Sequence, residues 1–249
     1  MNFAVVILNK YPELARNLIR SIRENHTRMP RVIVVADGHL ETFGDNVVTL
    51  GVSNPFIFAR NANVGIVGAG SKDVILANDD CEITEKDSIF KLVSIAARLP
   101  LLGILSPLID GGVGNPLQRK DAIWRPVQTS RYFQLINEIC LPGIEATAMP
   151  VCFPFVFLSR AMISTIGPLD ENFVGYGFED NDYCIRARRA GWETGITRQV
   201  CVKHGSGGDQ LRRGENWSLS FAKETETRKD NLQYFLSKYP QKVTVMPQL

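Results

Sequence analysis

The sequence predicts an α/β protein with a mostly parallel central sheet flanked by helices, and three observations predict it. Short continuous apolar runs recur at strand length, segments with helical spacing separate them, and polar residues close the early runs. In sheets of this kind ligands sit outside the carboxyl ends of the strands, so the residues that close the runs are the first candidates for function.

The first run is Phe3-Ala4-Val5-Val6-Ile7-Leu8, closed by Asn9. Leu14, Leu18 and Ile22 then repeat at helical spacing behind Pro12, which suits a first helical turn. Arg31 to Ala36 repeats the buried-strand signal and ends at Asp37-Gly38; Val74-Ile75-Leu76-Ala77 repeats it again before Asn78-Asp79-Asp80. Each of these polar closures alone is an ordinary turn former. Their recurrence after apolar strands is what points to a ligand edge.

Between the second and third runs, Asn61 to Ser71 carries Gly65, Gly68 and Gly70 and reads as a loop that permits close backbone approach to a ligand. It is not a Walker loop, since no Gly-Lys-Ser/Thr follows, and it lies too late for a dinucleotide fingerprint. A helix is expected from Asp87 to Leu99. A glycine-rich break at Asp110 to Pro116 opens an insertion running to Pro150 with Trp124 and Tyr132, and Val151 to Leu158 returns as a buried strand. Leu232, Phe235, Leu236 and Tyr239 predict a terminal amphipathic helix.

The segment Gly177 to Trp192 sets three carboxylates, Glu179, Asp180 and Asp182, at the start of a helical run that ends in arginines and Gly191, as the helix dipole and C-cap geometry favour. Asp180, Tyr183, Cys184 and Ala187 share one face. Dipole complementation or pairing with the arginines accounts for such acids as readily as chemistry does, so their company elsewhere in the chain decides.

With 249 residues, 45% of them hydrophobic, the chain is long enough to bury a sizeable core. The formal charge of +2 argues against a protein that coats nucleic acid. Five cysteines, widely spaced and without a Cys-x-x-Cys pair, indicate neither a disulfide framework nor a zinc site and suit a reducing cytoplasm. The sequence shows no secretory or transmembrane segment.

Taken in order, Asn78-Asp79-Asp80, Ile166-Gly167-Pro168-Leu169-Asp170-Glu171-Asn172-Phe173, Gly177-Phe178-Glu179-Asp180-Asn181-Asp182 and His204-Gly205-Ser206-Gly207-Gly208 resemble family 2 glycosyltransferases of the GT-A fold. The similarity is greatest to the rhamnosyltransferase-like branch. It implies one GT-A domain over 1–249, with a Rossmann-like nucleotide-sugar-binding half over 1–109 and an acceptor-binding half with a C-terminal helical segment over 110–249.

The resemblance also implies a nucleotide-diphosphate-sugar donor, Mn²⁺ or Mg²⁺, and inverting transfer to an acceptor hydroxyl. Asp180 matches the catalytic aspartate, with Glu179 beside it; Asp80 matches a metal ligand, with His204 completing the metal site. Asn78 and Asp79 occupy the donor-binding positions before Asp80, although Asn78 replaces the usual first aspartate. Leu8, through its backbone, Asn9 and Asp37 fall where the family reads the nucleobase, and Asn63 and Gly65 match the loop that follows.

Cell-surface polysaccharide or lipid-linked saccharide is the expected acceptor class. Cytoplasmic placement, with peripheral association at the inner face of a membrane, is the expected location. Arg212, Arg213, Arg228 and Lys229 are the cations available to attract an anionic acceptor or membrane, or are a solvated helix face. Two other readings stay open at this point: a sugar nucleotidyltransferase, and a noncatalytic nucleotide- or carbohydrate-binding module of the same fold.

Overall fold

The computed structural model describes residues 2–113, 115–121, 144–146, 150–205 and 217–239. Its elements run β1 (Phe3–Asn9), α1 (Pro12–Asn25), β2 (Arg31–Asp37), β3 (Val47–Val52), α2 (Phe58–Gly68), β4 (Asp73–Asn78), β5 (Cys81–Glu82), α3 (Ser88–Ala97) and β6 (Leu102–Gly111). They continue with β7 (Ile144–Ala146), β8 (Phe155–Leu158), α4 (Arg160–Ile166), α5 (Glu179–Arg189), β9 (Glu193–His204) and α6 (Trp217–Lys238). Trp124, Tyr132, Cys140, Ser206 to Gly208, Arg212 and Arg213 lie outside the described residues.

The strands form one sheet in the order β3-β2-β1-β4-β8-β6-β9-β5, with β7 paired to β9. All seven residues of β1 are buried, because this strand runs between β2 and β4 with helices on both faces; an apolar run without alternation is the consequence. Alternate residues feed opposite layers: Phe3, Val5 and Ile7 pack with Leu18 and Ile22 of α1, whereas Ala4, Val6 and Leu8 pack with Phe58, Ala62 and Ile66 of α2.

The parallel sheet expected from the sequence holds from β3 through β4 and again between β6 and β9. Between these sets β8 runs antiparallel to both β4 and β6. Neither β6 nor β9 stands out in the sequence. Pro107 sits inside β6, where the register with β9 shifts before Leu108, and such an irregularity is where a strand tolerates proline.

The stretch read as a glycine-rich loop is in fact helical, α2 reaching Gly68. A Cβ at Gly65 would lie 2.1 Å from Val6 Cγ1 and 3.0 Å from Val35 Cγ2, so this glycine lets the helix press onto β1 and β2. Helix α5 ends as expected, with Gly191 at a positive φ of 86°. Phe235 of α6 and Tyr239 just past its end are buried against Phe173 and Phe178, while Leu236, assigned to the same apolar face from its spacing, points outward. The four described cysteines are free, and no helix among the described residues is long and apolar enough to cross a membrane.

Candidate active site

The register brings the carboxyl ends of β1, β2 and β4 to one edge, with Leu8 opposite Asn78 and Asn9 opposite Ala36, which precedes Asp37. Beside this edge opens a cavity of about 540 Å³. Asn78, His204, Glu179 and Asp180 all line it, together with Gly111, Gly112, Cys152, Tyr176, Gly177 and Arg228. Residues from β4, β9 and α5, up to 126 positions apart in the chain, therefore share one space.

Glu179 and Asp180 open α5 and are 5% and 7% exposed, so two adjacent carboxyl groups are nearly dry at the cavity wall. Burial pushes both above the ordinary carboxylate range, and the charge of Asp180 raises Glu179 further. Against this, the Asn181 N–H (2.8 Å), the N–H of Asp180 itself, the Cys152 thiol and the Phe153 N–H favour the Asp180 anion. Glu179 Oε2 is buried without a hydrogen-bond partner.

His204 arrives at the cavity on β9, which β5 and β6 hold from either side with Cys81 and Gly111 opposite it. Gly111 has φ 137°, and a Cβ there would lie 2.0 Å from the His204 carbonyl oxygen; glycine is required for this close approach. The imidazole Nδ1 makes a short hydrogen bond with the Gly112 carbonyl, so Nδ1 carries the proton and donates it. Nε2 then faces Asn78 Nδ2 at 3.4 Å and the buried Asp80 Oδ1 at 3.3 Å.

A lone pair opposite a carboxylate oxygen at this distance is reconciled by a cation or by a second proton on the ring. The Asp80 carboxylate suits Mn²⁺ or Mg²⁺, the His204 imidazole favours the transition metal Mn²⁺ of the two, and a carbonyl on the other ring nitrogen is a common device for orienting a metal-binding histidine. Among the described residues no cluster of three or more histidine, cysteine, aspartate or glutamate side chains forms a complete cage. The pair fits a metal that takes its other ligands from substrate oxygens and water.

The other residues singled out from the sequence have different surroundings. Asp79 turns away from the cavity: its Oδ2 accepts from Asn9 Nδ2 (3.1 Å) and from the N–H groups of Lys10 (2.8 Å) and Tyr11 (2.9 Å), anchoring the turn into α1. Asn63 is committed to the fold, donating to the Leu169 carbonyl (2.9 Å) and Glu171 Oε1 (2.8 Å) and accepting from the Leu169 N–H (2.9 Å). Leu8, Asn9, Asp37 and Gly65 do not line the cavity, and the Leu8 backbone lies in the sheet ladder. Asp37 lies 3.7 Å from Arg60, and burial raises its carboxyl against the pull of Asn61 and Arg60.

Sequence reasoning missed Gly111, Gly112, Cys152, Tyr176 and Gly177 as cavity walls; Arg228, read as a cation for an anionic acceptor or membrane or as a solvated helix face, is exposed and also lines the cavity. The Asp110-Gly111-Gly112 run was visible as a turn signal only; its function depends on the β6–β9 register, which the sequence does not display. Arg228 enters from α6, and its charge acts on Glu179.

The architecture and this edge-on cavity define the GT-A type of α/β fold, and solved glycosyltransferases share it. A structure of GalNAc-T7 with UDP, GalNAc and Mn²⁺ superposes with a TM-score of 0.64 at 12% identity, covering 100% of this chain and 58% of that one. Residues 1–349 of S. aureus TarS superpose at 0.55 with 14% identity, covering 85% of this chain and 63% of that one.

No family model matches the sequence. The low-salt glycan biosynthesis hexosyltransferase Agl10 of Haloferax volcanii is 30% identical over 145 residues, which is 57% of this chain and 45% of Agl10. The uncharacterized protein y4gI of Sinorhizobium fredii is 23% identical over 167 residues, 62% of this chain but 18% of y4gI. The chain thus spans less than half the length of the curated relatives it matches.

Proposed function

We propose that the chain is a metal-dependent, inverting glycosyltransferase that moves a hexosyl or deoxyhexosyl group from a nucleotide-diphosphate-sugar to an acceptor hydroxyl. The single observation that carries this reading is the meeting, in one cavity, of a buried carboxyl pair with His204, which faces Asp80. The bound UDP, GalNAc and Mn²⁺ of the GalNAc-T7 structure and the hexosyltransferase name of Agl10 support it.

Asp180 is the general base. Its carboxylate takes the proton of the acceptor hydroxyl as that oxygen bonds to the anomeric carbon and the bond to the nucleoside diphosphate breaks. A carboxylate is too weak to ionise a sugar hydroxyl beforehand, so proton transfer and attack proceed together, and a single displacement inverts the anomeric centre. Asp80 and His204 would hold the metal, which would offset the charge growing on the leaving diphosphate. Asn78, Phe58 and Tyr176 line the cavity; in this reading Asn78 donates to the donor's ribose or diphosphate and the two aromatic rings take the apolar side of a sugar ring.

Saccharide or lipid-linked saccharide acceptors, the rhamnosyltransferase-like branch of family 2, and work at the cytoplasmic face of a membrane complete the proposal. Purified protein is tested against UDP-, dTDP-, GDP- and CDP-sugars with saccharide acceptors, with and without Mn²⁺. Metal-dependent release of one nucleoside diphosphate, matched by glycosylated acceptor of inverted configuration, is the expected result. Release of pyrophosphate from a nucleoside triphosphate and a sugar phosphate would instead identify a nucleotidyltransferase.

A further inference from the structure

The segment Val174 to Phe178, which leads into the carboxyl pair, has a backbone that does not hold itself. Three of its five residues have positive φ: Gly175 at 64°, Gly177 at 108° and Phe178 at 71°. Phe178 is the informative one, because a left-handed aromatic residue persists only where its surroundings impose that conformation. It immediately precedes Glu179, and Tyr176 and Gly177 line the cavity.

The support comes from α6, more than 50 residues away in the chain. Asn231 is 2% exposed, and its carboxamide is spent on this segment: Oδ1 accepts from the Val174 N–H (3.0 Å), and Nδ2 donates to the carbonyls of Val174 (2.8 Å), Tyr176 (3.2 Å) and Gly177 (3.1 Å). One helical turn later Phe235 packs against the Phe178 ring, with centroids 5.5 Å apart. One turn earlier Arg228 lines the cavity. Asparagine is the side chain that offers a planar acceptor and two donors at this length; aspartate would lose the donors, and leucine would leave buried carbonyls unpaired.

We propose that Asn231 is a positioning residue of the transfer reaction, fixing the Val174–Gly177 backbone so that Glu179 and Asp180 enter the cavity at the angle the chemistry needs. This rests on the reading of the carboxyl pair as the site of sugar transfer. The Gly177 N–H in turn donates to the Glu179 carboxyl, so a shift of the segment reaches the acids directly. Among the described residues Asn231 bonds only to the Val174–Gly177 backbone, and the metal and nucleotide side of the cavity lies on other elements, β4 and β9.

The test compares wild type with Asn231→Ala and the milder Asn231→Ser, measuring kcat, Mn²⁺-dependent nucleotide affinity, and amide hydrogen exchange of peptides covering 174–178 and β1. For Asn231→Ala the expected result is a kcat loss on the order of 100-fold, the scale of a 1 Å misplacement, with nucleotide affinity retained and exchange accelerated only at 174–178. Asn231→Ser, which puts one shorter hydroxyl in place of the carboxamide, is expected to lose less and decides the matter if the alanine variant does not fold.

Unchanged kcat in a folded variant would overturn the proposal. So would a loss shared equally by nucleotide affinity and by β1 protection, which marks general destabilisation. If wild type itself transfers no sugar, the transfer reading fails separately, and unchanged exchange at 174–178 would still overturn the hold of Asn231 on the segment.

Discussion

Replacing Asp180 with Asn is expected to cut kcat by about 10²–10⁴-fold while leaving nucleotide binding intact, because it removes the proton acceptor and little volume. The same substitution is expected to stabilise the protein without ligand. Burial raises both carboxyl groups of the pair above their unfolded values, so the folded state holds their protons more tightly than the unfolded chain does. That contribution to stability is complete below the unfolded carboxyl range, near 4, and is lost as pH rises through the folded values. A neutral amide escapes the loss.

Near neutral pH the gain for Asp180→Asn is on the order of 1 kcal/mol or more, which for a chain of this size raises Tm by about 2–4 °C per kcal/mol. The kcat of wild type, by contrast, rises with pH through the range where Asp180 ionises, above its ordinary value of 3.8. Thermal melts and pH-rate profiles of the two proteins check both signs. A destabilised Asp180→Asn that still turns over would assign the carboxylate to the fold and not to the reaction.

Asp182→Ala is expected to be the most destabilising change in the acidic helix start, at about 3–5 kcal/mol, because it strands buried or half-buried cations. Asp182 is fully buried; its Oδ2 accepts from Arg186 Nε (2.8 Å), and its Oδ1 from Lys238 Nζ (2.6 Å) and the Tyr239 hydroxyl (2.6 Å). Lys238 also reaches Asp170, which burial alone would raise but which Lys238 and the donors of Asn172 and Tyr234 pull down to about 2. Arg186 further donates to the carbonyls of Ile166 and Pro168, both at 2.8 Å. Asp182 thus ties α5, α6 and the turn after α4 together. Denaturant unfolding decides the point: a loss under about 1 kcal/mol would reduce the network to a surface-like ion pair.

These two carboxylates stand two residues apart, and the sequence alone does not separate them. Three acids at a helix start satisfy the dipole whichever of them does chemistry, and only the packing shows Asp182 turned toward α6 and Glu179 and Asp180 toward the cavity. β1, β2 and β4 were legible because their two buried faces force uninterrupted apolar runs, whereas the half-exposed edge strand β3 gave no such run and was not read. β6 and β9 were not, since Pro107 breaks the first and irregular burial blurs the second.

His204 was therefore found through its similarity to a family pattern, and its setting, from Gly111 and Gly112 to Asp80, emerges only when β5, β6 and β9 are placed side by side. Gly65 misled for a physical reason. A glycine that lets a helix approach a strand looks, in sequence, like one that lets a loop approach a phosphate.

Thermal stabilisation by UDP, dTDP, GDP and CDP, each with and without Mn²⁺, in wild type and Asp80→Ala tests the central claim most directly. A ligand at 100 times its Kd adds about 2.7 kcal/mol to the folded state, well within reach of a melt. The predicted result is a shift with one nucleotide that requires Mn²⁺ and disappears in Asp80→Ala. A shift that is indifferent to the metal and survives in Asp80→Ala, or no shift with any of the four, would contradict a metal-bridged donor site at Asp80 and His204.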